Sequence, residues 1–484
     1  MNEDISLLKV KALLGARWNA IGQFSTLVGS TAGSICLARI LSPNEFGLIA
    51  MITVIANLGN IVVAMGLGSA VIQNRTLSNQ EISSIFWFNL ILGSLVGLIF
   101  FFLAGPLADF YNQPELKKTI KIFSFTFILN GLNSVPYSLL IKQLRFKTIT
   151  IISLSSLVLS YGVAIFMSLN GWGVWSLVIQ LIVNVLFSTV MHLFYSRWPL
   201  SFELDFSHLR KVRGFSLNYF FNSLLDFLAS NVDLVLVGRF FGKQTLGLYS
   251  RALSLTLLPV TNISFLFART FFPVFAELQQ NSEFLQKAYI RGLRTMAFLI
   301  VPALTGMFVV SDDLILVLFG KEWMETAWMF RWLCLLGVIS CFNAFNDSFI
   351  TSQGRTDLLF RLGLFEKTTF IIITIVGLRF GVIGIIVARL VSSLATFIPK
   401  LILLLRIVKI PAGALAKNFI LIFGSTISML ILLVLVKPFI PTDNLIRHFL
   451  STVALGFCTY LGMTFLLKEE AWQHLLLLIR KNRN

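Results

Sequence analysis

Charge is what this chain lacks. Asp, Glu, Lys and Arg together supply 13% of the residues, about half of the roughly 25% usual in soluble domains. Segments 46–72, 82–108, 148–196 and 418–436 carry none at all. About 20 apolar residues suffice to cross the hydrocarbon of a bilayer. Segment 148–196, interrupted only by Asn170-Gly171-Trp172-Gly173, is therefore a hairpin of two spans. With 56% hydrophobic residues, a water-soluble core is excluded. Cysteine and histidine are equally sparse. Cys36, Cys334, Cys341 and Cys458 lie in apolar segments without metal-type spacing and read as buried small hydrophobes. His192, His208, His448 and His474 are scattered, so no metal site is expected. Residues 1–17 mix acids with bases and contain no small-residue cleavage site. The chain is expected to insert uncleaved, behind an amphipathic Ile5 to Leu14 helix lying on the membrane surface.

What charge there is leans basic, with a net +17. The basic residues are dispersed between apolar spans rather than gathered into a stripe, which argues against nucleic acid and for positive-inside bias. Spans fall near 17–41, 46–72, 82–106, 118–141, 148–169, 172–195, 214–238, 246–275, 292–318, 326–351, 360–379, 381–405, 417–437 and 446–467. The fold class expected is an all-α polytopic membrane protein of about fourteen transmembrane helices. Alternate loops hold Arg75; Lys142, Arg145 and Lys147; Arg197, Arg210, Lys211 and Arg213; Lys287, Arg291 and Arg294. The intervening loops are near neutral or acidic, with Asp312, Asp313, Glu322 and Glu325 around Lys321. Both termini are therefore expected in the cytoplasm, and Trp172, Trp175 and Trp323 read as interfacial belt residues.

The chain repeats itself. "ARILSPNEFGLIA" from Ala38 matches "GRFFGKQTLGLYS" from Gly238, pairing Arg39 with Arg239, Gly47 with Gly247 and Leu48 with Leu248. The register then drifts, to Phe110 with Phe319 and Arg145 with Arg355. Each copy holds six spans, an even number, so both enter the membrane in the same orientation. The expected layout is an N-terminal segment 1–16, a first lobe 17–196, a linker 197–213, a second lobe 214–405, two further spans 406–467 and a tail 468–484. Two parallel lobes around a cavity suit alternating access, and an internal duplication also suits a channel.

Polar residues inside the spans point to the site. The first span of each lobe has a stripe at three- and four-residue steps, which keeps it on one helix face. These are Asn19, Gln23, Thr26, Ser30 and Gly33, and then Asn218, Asn222, Asp226, Ser230 and Asp233. A carboxylate at mid-bilayer costs at least about 2.5–3.5 kcal/mol on insertion scales. Asp226 and Asp233 must therefore meet water, a cation, a proton or an arginine, and pairing with arginine purely for packing is the competing reading. Arg39, Arg239, Arg251, Arg269, Arg331 and Arg389 lie within or at the ends of spans, with Lys367 and Lys400 less clearly placed. Taken singly, each can snorkel or pair with Asp226, Asp347 or Glu366. Converging on a wet cavity, they would attract phosphate, whose oxygens match the guanidinium fork. Asn57, Asn60, Asn343, Asn346 and Asp347 are further candidates for cavity lining or for hydrogen bonding between helices.

These residues resemble a known family. "GARWNAIGQFSTLVGSTAGSICLARILSPNEFGLIAM" from Gly15, "GLGSAVIQN" from Gly66, "NVDLVLVGRFFGKQTLGLYSRA" from Asn231 and "VPALTGMFVVSDDLILVLFGKEW" from Val301 are similar to the polysaccharide transporter family of Wzx-type oligosaccharide flippases. The nearest branch is the colanic-acid-exporter-like one, in the superfamily that also holds MATE drug exporters and lipid II flippases. The likeness runs to about Leu405. It implies a bacterial inner-membrane flippase that moves a polyprenyl-diphosphate-linked oligosaccharide to the outer leaflet for lipopolysaccharide, capsule or exopolysaccharide synthesis. It implies no catalytic residue and no cofactor beyond a coupling Na+ or H+. Polymerase and glycosyltransferases of the same pathway would be partners. From their placement in the spans, Arg39, Arg239, Arg251, Arg269, Arg331 and Arg389 are the candidates for holding the diphosphate and Asp226, Asp233 and Asp347 those for coupling, and the resemblance implies arginines in the cavity and coupling to an ion gradient. Asn19, Gln23, Thr26, Ser30, Asn57, Asn218, Asn222 and Ser230 would line the cavity. Among the candidate arginines and carboxylates, Arg39, Arg239, Arg251 and Asp233 stand within the matching segments.

Three rivals are weaker. A cation-coupled MATE-type exporter handles mostly cationic substrates, which an arginine-rich cavity disfavours. A membrane enzyme needs a catalytic group in a substantial outer loop, whereas Asp312-Asp313 reads as part of a solvated acidic loop. A channel would show a ring of charges or a filter loop.

Overall fold

The computed structural model describes residues 2–74, 77–199, 201–202, 213–408, 410, 412–441 and 443–467. Most of the expected linker and all of the tail 468–484 lie outside the described residues, as does the side chain of Asn218. Among the described residues the chain is all helix and no strand, the form a bilayer imposes because each span must satisfy its own backbone polar groups. Ten helical stretches are long and apolar enough to cross a membrane. Two of these, Phe220–Glu277 and Thr356–Val408, are 58 and 53 residues long, enough for two crossings each. The outward surfaces are apolar: Phe102 is 75% exposed, Phe166 70% and Phe380 72%, a reversal of the soluble pattern that lipid rewards.

The chain forms two compact units, Met1–Gly247 and Leu248–Asn484. In the first, α1 (Asn2–Ile40) runs without a break, so the segment expected to lie on the membrane surface continues straight into the first span. It is followed by α2 (Pro43–Ala64), α3 (Leu67–Gln73), α4 (Asn79–Phe110), α5 (Glu115–Phe123), α6 (Phe125–Lys142), α7 (Phe146–Leu169) and α8 (Val174–Ser196). The α7–α8 turn is the expected Asn170–Gly173 hairpin, with Gly171 and Gly173 at φ +78° and +54°. The long α9 (Arg213–Glu277) bends at Gly242, φ +80°, and its first half belongs to the first unit. Gly242 stands where Ser42 stands in the first copy. There the corner is made differently, by a reciprocal cap in which the Ser42 N–H donates to Glu45 Oε2 at 2.7 Å and Pro43 opens the helix.

Small residues let the helices meet. On α1, Gly15, Gly22, Gly29 and Gly33 form a seam against Phe146, Thr150, Leu157 and Tyr161 of α7, where an added Cβ would come within 2.3–2.9 Å of those side chains. Gly93 of α4 and Gly131 of α6 face each other's backbones, a Cβ on either lying 2.5 Å from a carbonyl oxygen. This is close packing by small residues, the usual route to helix association in lipid.

The second unit continues with α10 (Ser282–Val309), α11 (Ser311–Leu318), α12 (Met324–Ser352), α13 (Thr356–Gly377), α14 (Gly381–Val408), α15 (Ala412–Val436) and α16 (Leu445–Leu466). Its centre is aromatic: Phe275, Tyr289, Phe345 and Phe349 pack ring on ring, and Tyr289 donates to Asn346 Oδ1 at 2.9 Å. Three expectations change here. Trp323 is fully buried against Phe319 rather than at an interface. Cys36 and Cys458 are exposed on helix surfaces, and only Cys334 and Cys341 are buried. Asp312 and Asp313 open α11 and are ion-paired, to Arg331 at 2.5 Å and Lys437 at 2.7 Å, so they are not a free solvated loop.

Candidate functional site

One cavity of about 490 Å³ lies in the first unit between the C-terminal half of α2 and the first half of α9. Asn57, Asn60, Ile61 and Ala64 line it from α2, and Ser223, Asp226, Phe227 and Ser230 from α9. Both sets recur at three- and four-residue steps, so each helix turns one face to the cavity. Asn130 of α6 donates to Asn60 Oδ1 at 2.8 Å and fixes that amide from behind. Asp233, two turns further along α9, is fully buried.

About 15 Å along α2 from Asn57 by helical rise, the two corners of the repeat touch. A Cβ on Gly47 would lie 1.7 Å from the carbonyl oxygen of Lys243, and one on Gly247 would lie 2.0 Å from that of Pro43. The contact is reciprocal, because the register that pairs Gly47 with Gly247 also pairs Pro43 with Lys243. Beyond it opens a second cavity of about 500 Å³, bordered by Asn44, Glu45, Glu115, Lys118, Trp175 and Lys243. There Lys243 is paired with Glu115 at 2.9 Å and Lys118 lies over the Trp175 ring. Tyr111, at the end of α4, is buried, which pushes its phenol up to about 12 and keeps it neutral.

The sequence-predicted residues separate into groups. Asn57, Asp226 and Ser230 share the first cavity. The α1 stripe stands apart from that lining: Gln23 is exposed, Asn19 and Thr26 are half-buried, and Ser30 donates to Leu27 of its own helix. Asn222 is exposed on α9. None of the six arginines lines either cavity. Arg239 lies over the Phe110 ring. Arg331 is held by Asp312 and by Ser311 Oγ at 3.0 Å. Arg389 donates to the Tyr249 hydroxyl at 3.3 Å and covers Phe370. Arg39 and Arg269 are exposed, and Arg251 is half-buried.

Asp347 has the most built surroundings. Lys400 of α14, 2% exposed, reaches Asp347 at 2.8 Å and Glu366 of α13 at 3.7 Å. Two carboxylates thus share one ammonium group inside the second unit. Sequence reasoning named these groups only as possible pairs, and it missed the α1 glycine seam, although the seven-residue spacing of Gly15, Gly22 and Gly29 signals it.

Residues 36–328 match the family described as polysaccharide biosynthesis protein. The chain belongs to this polysaccharide biosynthesis family. Similar curated proteins include the teichuronic acid biosynthesis protein TuaB of Bacillus subtilis (strain 168), 25% identical over 351 residues, 72% of each chain. The lipopolysaccharide biosynthesis protein WzxC of Escherichia coli (strain K12) is 25% identical over 382 residues, 78% of this chain and 77% of that one. In fold, this polysaccharide biosynthesis protein is similar to the lipid II flippase MurJ in an inward closed conformation. The TM-score is 0.71 at 17% identity, over 93% of this chain and 99% of that one. It is also similar to a multidrug resistance MATE family transporter of the MOP superfamily, in an inward-facing conformation, with TM-score 0.60 at 16% identity over 81% and 96%. The expected all-α, MATE- and MurJ-like membrane fold is thereby established.

Proposed function

We propose that this chain is a flippase, not an enzyme, and that it moves polyprenyl-diphosphate-linked oligosaccharide units across the bacterial inner membrane for polysaccharide synthesis. The observation that carries the reading is the polar cavity of about 490 Å³ set among membrane-spanning helices. A hydrated glycan cannot cross hydrocarbon unaided, whereas a prenyl tail can stay in it, so a wet recess beside lipid is the part a protein must supply. Family membership sets the biosynthetic context, and WzxC and TuaB, named for lipopolysaccharide and teichuronic acid biosynthesis, support it.

With both termini cytoplasmic and fourteen crossings, the Asn57–Ala64 end of the cavity opens inward, and the Gly47–Gly247 contact closes the outer side. Separation of that contact would then expose the cavity outward. Arg39, Arg239, Arg251, Arg269, Arg331 and Arg389 are the candidates for the diphosphate. Arg331 and Arg389 would have to leave the partners they now hold. Asp226, Asp233 and the Asp347–Lys400–Glu366 triad are candidates for coupling to Na+ or H+. The test is translocation of a fluorescent lipid-linked oligosaccharide in proteoliposomes, with and without ion gradients. Protein-dependent transfer supports the reading, and transfer no faster than in protein-free vesicles refutes it.

A further inference from the structure

The first cavity is the wrong chemistry for a phosphate. Its lining offers two amides, two hydroxyls and one carboxylate, with no lysine or arginine. Its backbone N–H groups are spent in the α2 and α9 ladders. Diphosphate recognition calls for cationic forks or free backbone donors. Hydroxyl groups, which both donate and accept, are matched by this mixture of amide, hydroxyl and carboxylate. Asn60 is pre-set for the task, because Asn130 occupies its Oδ1 and leaves its Nδ2 to donate. Ile61, Ala64 and Phe227 add an apolar border against which the C–H face of a sugar ring can rest. The recess is open, with Asn57, Asp226 and Ser230 exposed, and has room for a group larger than a lone ion.

The duplication supplies a second, independent observation. The register that sets Gly47 against Gly247 sets Asn57 against Leu257 and Asn60 against Val260. Val260 is 5% exposed and part of the core, close under Gly337. The duplicated fold therefore packs without amides at these positions, and the amide pair is a property of the copy that faces a cavity.

We propose that this cavity is a carbohydrate subsite. Asn57, Asn60, Ser223, Asp226 and Ser230 bind an uncharged hexopyranose of the transported unit, at a place separate from the groups that hold the diphosphate. The proposal rests on the flippase reading and adds to it where the glycan sits and what kind of sugar is read. Asn130 is a positioning residue that acts through Asn60.

The experiment compares two probes on the full chain in nanodiscs: polyprenyl diphosphate and polyprenyl diphosphate carrying a single glucose. Wild-type protein should bind the glucosylated lipid about tenfold more tightly, the scale of one or two net hydrogen bonds. The double variant Asn57→Leu/Asn60→Leu should lose that preference while binding the bare lipid unchanged, and Asn130→Leu should lose part of it. If the leucine pair does not fold, Asn57→Ser and Asn60→Ser are read singly on the same difference. Equal wild-type affinity for the two probes overturns the subsite and leaves the flippase reading standing. A variant that loses affinity for both probes alike also overturns it, by making the cavity a diphosphate or purely structural site. Wild-type protein that binds neither probe ends the flippase reading itself.

Discussion

Replacing Gly47 or Gly247 by alanine is the sharpest perturbation the fold offers. A Cβ at Gly47 would stand 1.7 Å from the Lys243 oxygen and 2.5 Å from its carbonyl carbon. At Gly247 it would stand 2.0 Å from the Pro43 oxygen and 3.0 Å from the Gly47 nitrogen. A tolerable C···O contact is about 3.3–3.6 Å, so the facing backbone must retreat by roughly 1.5 Å. No rotamer change can relieve this, because the obstacle is main chain on both sides. Overpacking a tight contact costs about 1–3 kcal/mol, and a backbone clash belongs at the upper end. The corners can separate without melting either helix, so the cost should appear as a shift of population between closed and parted corners. At those energies the shift is about 5- to 150-fold. Nitroxide labels on Asn44→Cys and Gln244→Cys, in a background stripped of the four native cysteines, would report it by pulsed spin-resonance distances. The native glycines should give one short distance, and Gly47→Ala or Gly247→Ala a longer population. The double variant should add less than the sum, since either methyl already parts the same contact. Gly306→Ala is the control, with nothing within 4 Å of its Cβ. If Gly47→Ala matched this control in distance distribution, thermal stability and transport, the reasoning would be refuted.

Other outcomes follow from the same contacts. Lys400→Met should destabilise the second unit by about 3–5 kcal/mol, because it strands Asp347 and Glu366 together; thermal unfolding in detergent measures it, and adding Asp347→Asn should restore part of the loss. Tyr460→Phe removes the buried bond from its hydroxyl to the Phe298 carbonyl at 2.9 Å and should cost about 1–3 kcal/mol, read from denaturant midpoints. Gly22→Leu pushes a side chain into the Thr150 side chain, which an added Cβ alone would already approach to 2.6 Å; size-exclusion profiles should show loss of the native peak, with Gly413→Leu tolerated. Arg331→Ala breaks a pair whose side chains are 35% and 47% exposed, so stability should change by less than about 1 kcal/mol. A larger drop in melting temperature would show that Arg331 supports more than Asp312.

Much of this was legible along the chain. The charge-free stretch 148–196 with its Asn-Gly-Trp-Gly break gives the α7–α8 hairpin, and the matched "ARILSPNEFGLIA" and "GRFFGKQTLGLYS" segments form the two corners that meet at Gly47 and Gly247. The Ser230 and Asp226 stripe was also recoverable, since a polar residue every three or four positions in an apolar helix identifies a face. The partner of that face was not. Asp226 shares its cavity with Asn57 and Asn60 of α2, and no pattern along either helix says that the two faces meet. Trp323 and the Asp312–Asp313 pair were misplaced for the same reason, because burial against Phe319 and pairing with Arg331 and Lys437 are relations between segments.

Hydropathy read along the chain was enough for a helical membrane protein with several apolar spans, and the matched segments were enough for an internal repeat. Those properties follow from transfer free energy summed residue by residue, with each span closing its own hydrogen bonds. Which polar groups meet is settled by packing in three dimensions: Lys400 with Asp347 and Glu366, Asn130 with Asn60, Gly47 with the Lys243 carbonyl. In lipid, hydropathy does not distinguish one helix neighbour from another. The choice is left to close approach at small residues and to individual hydrogen bonds, neither of which is additive along the chain.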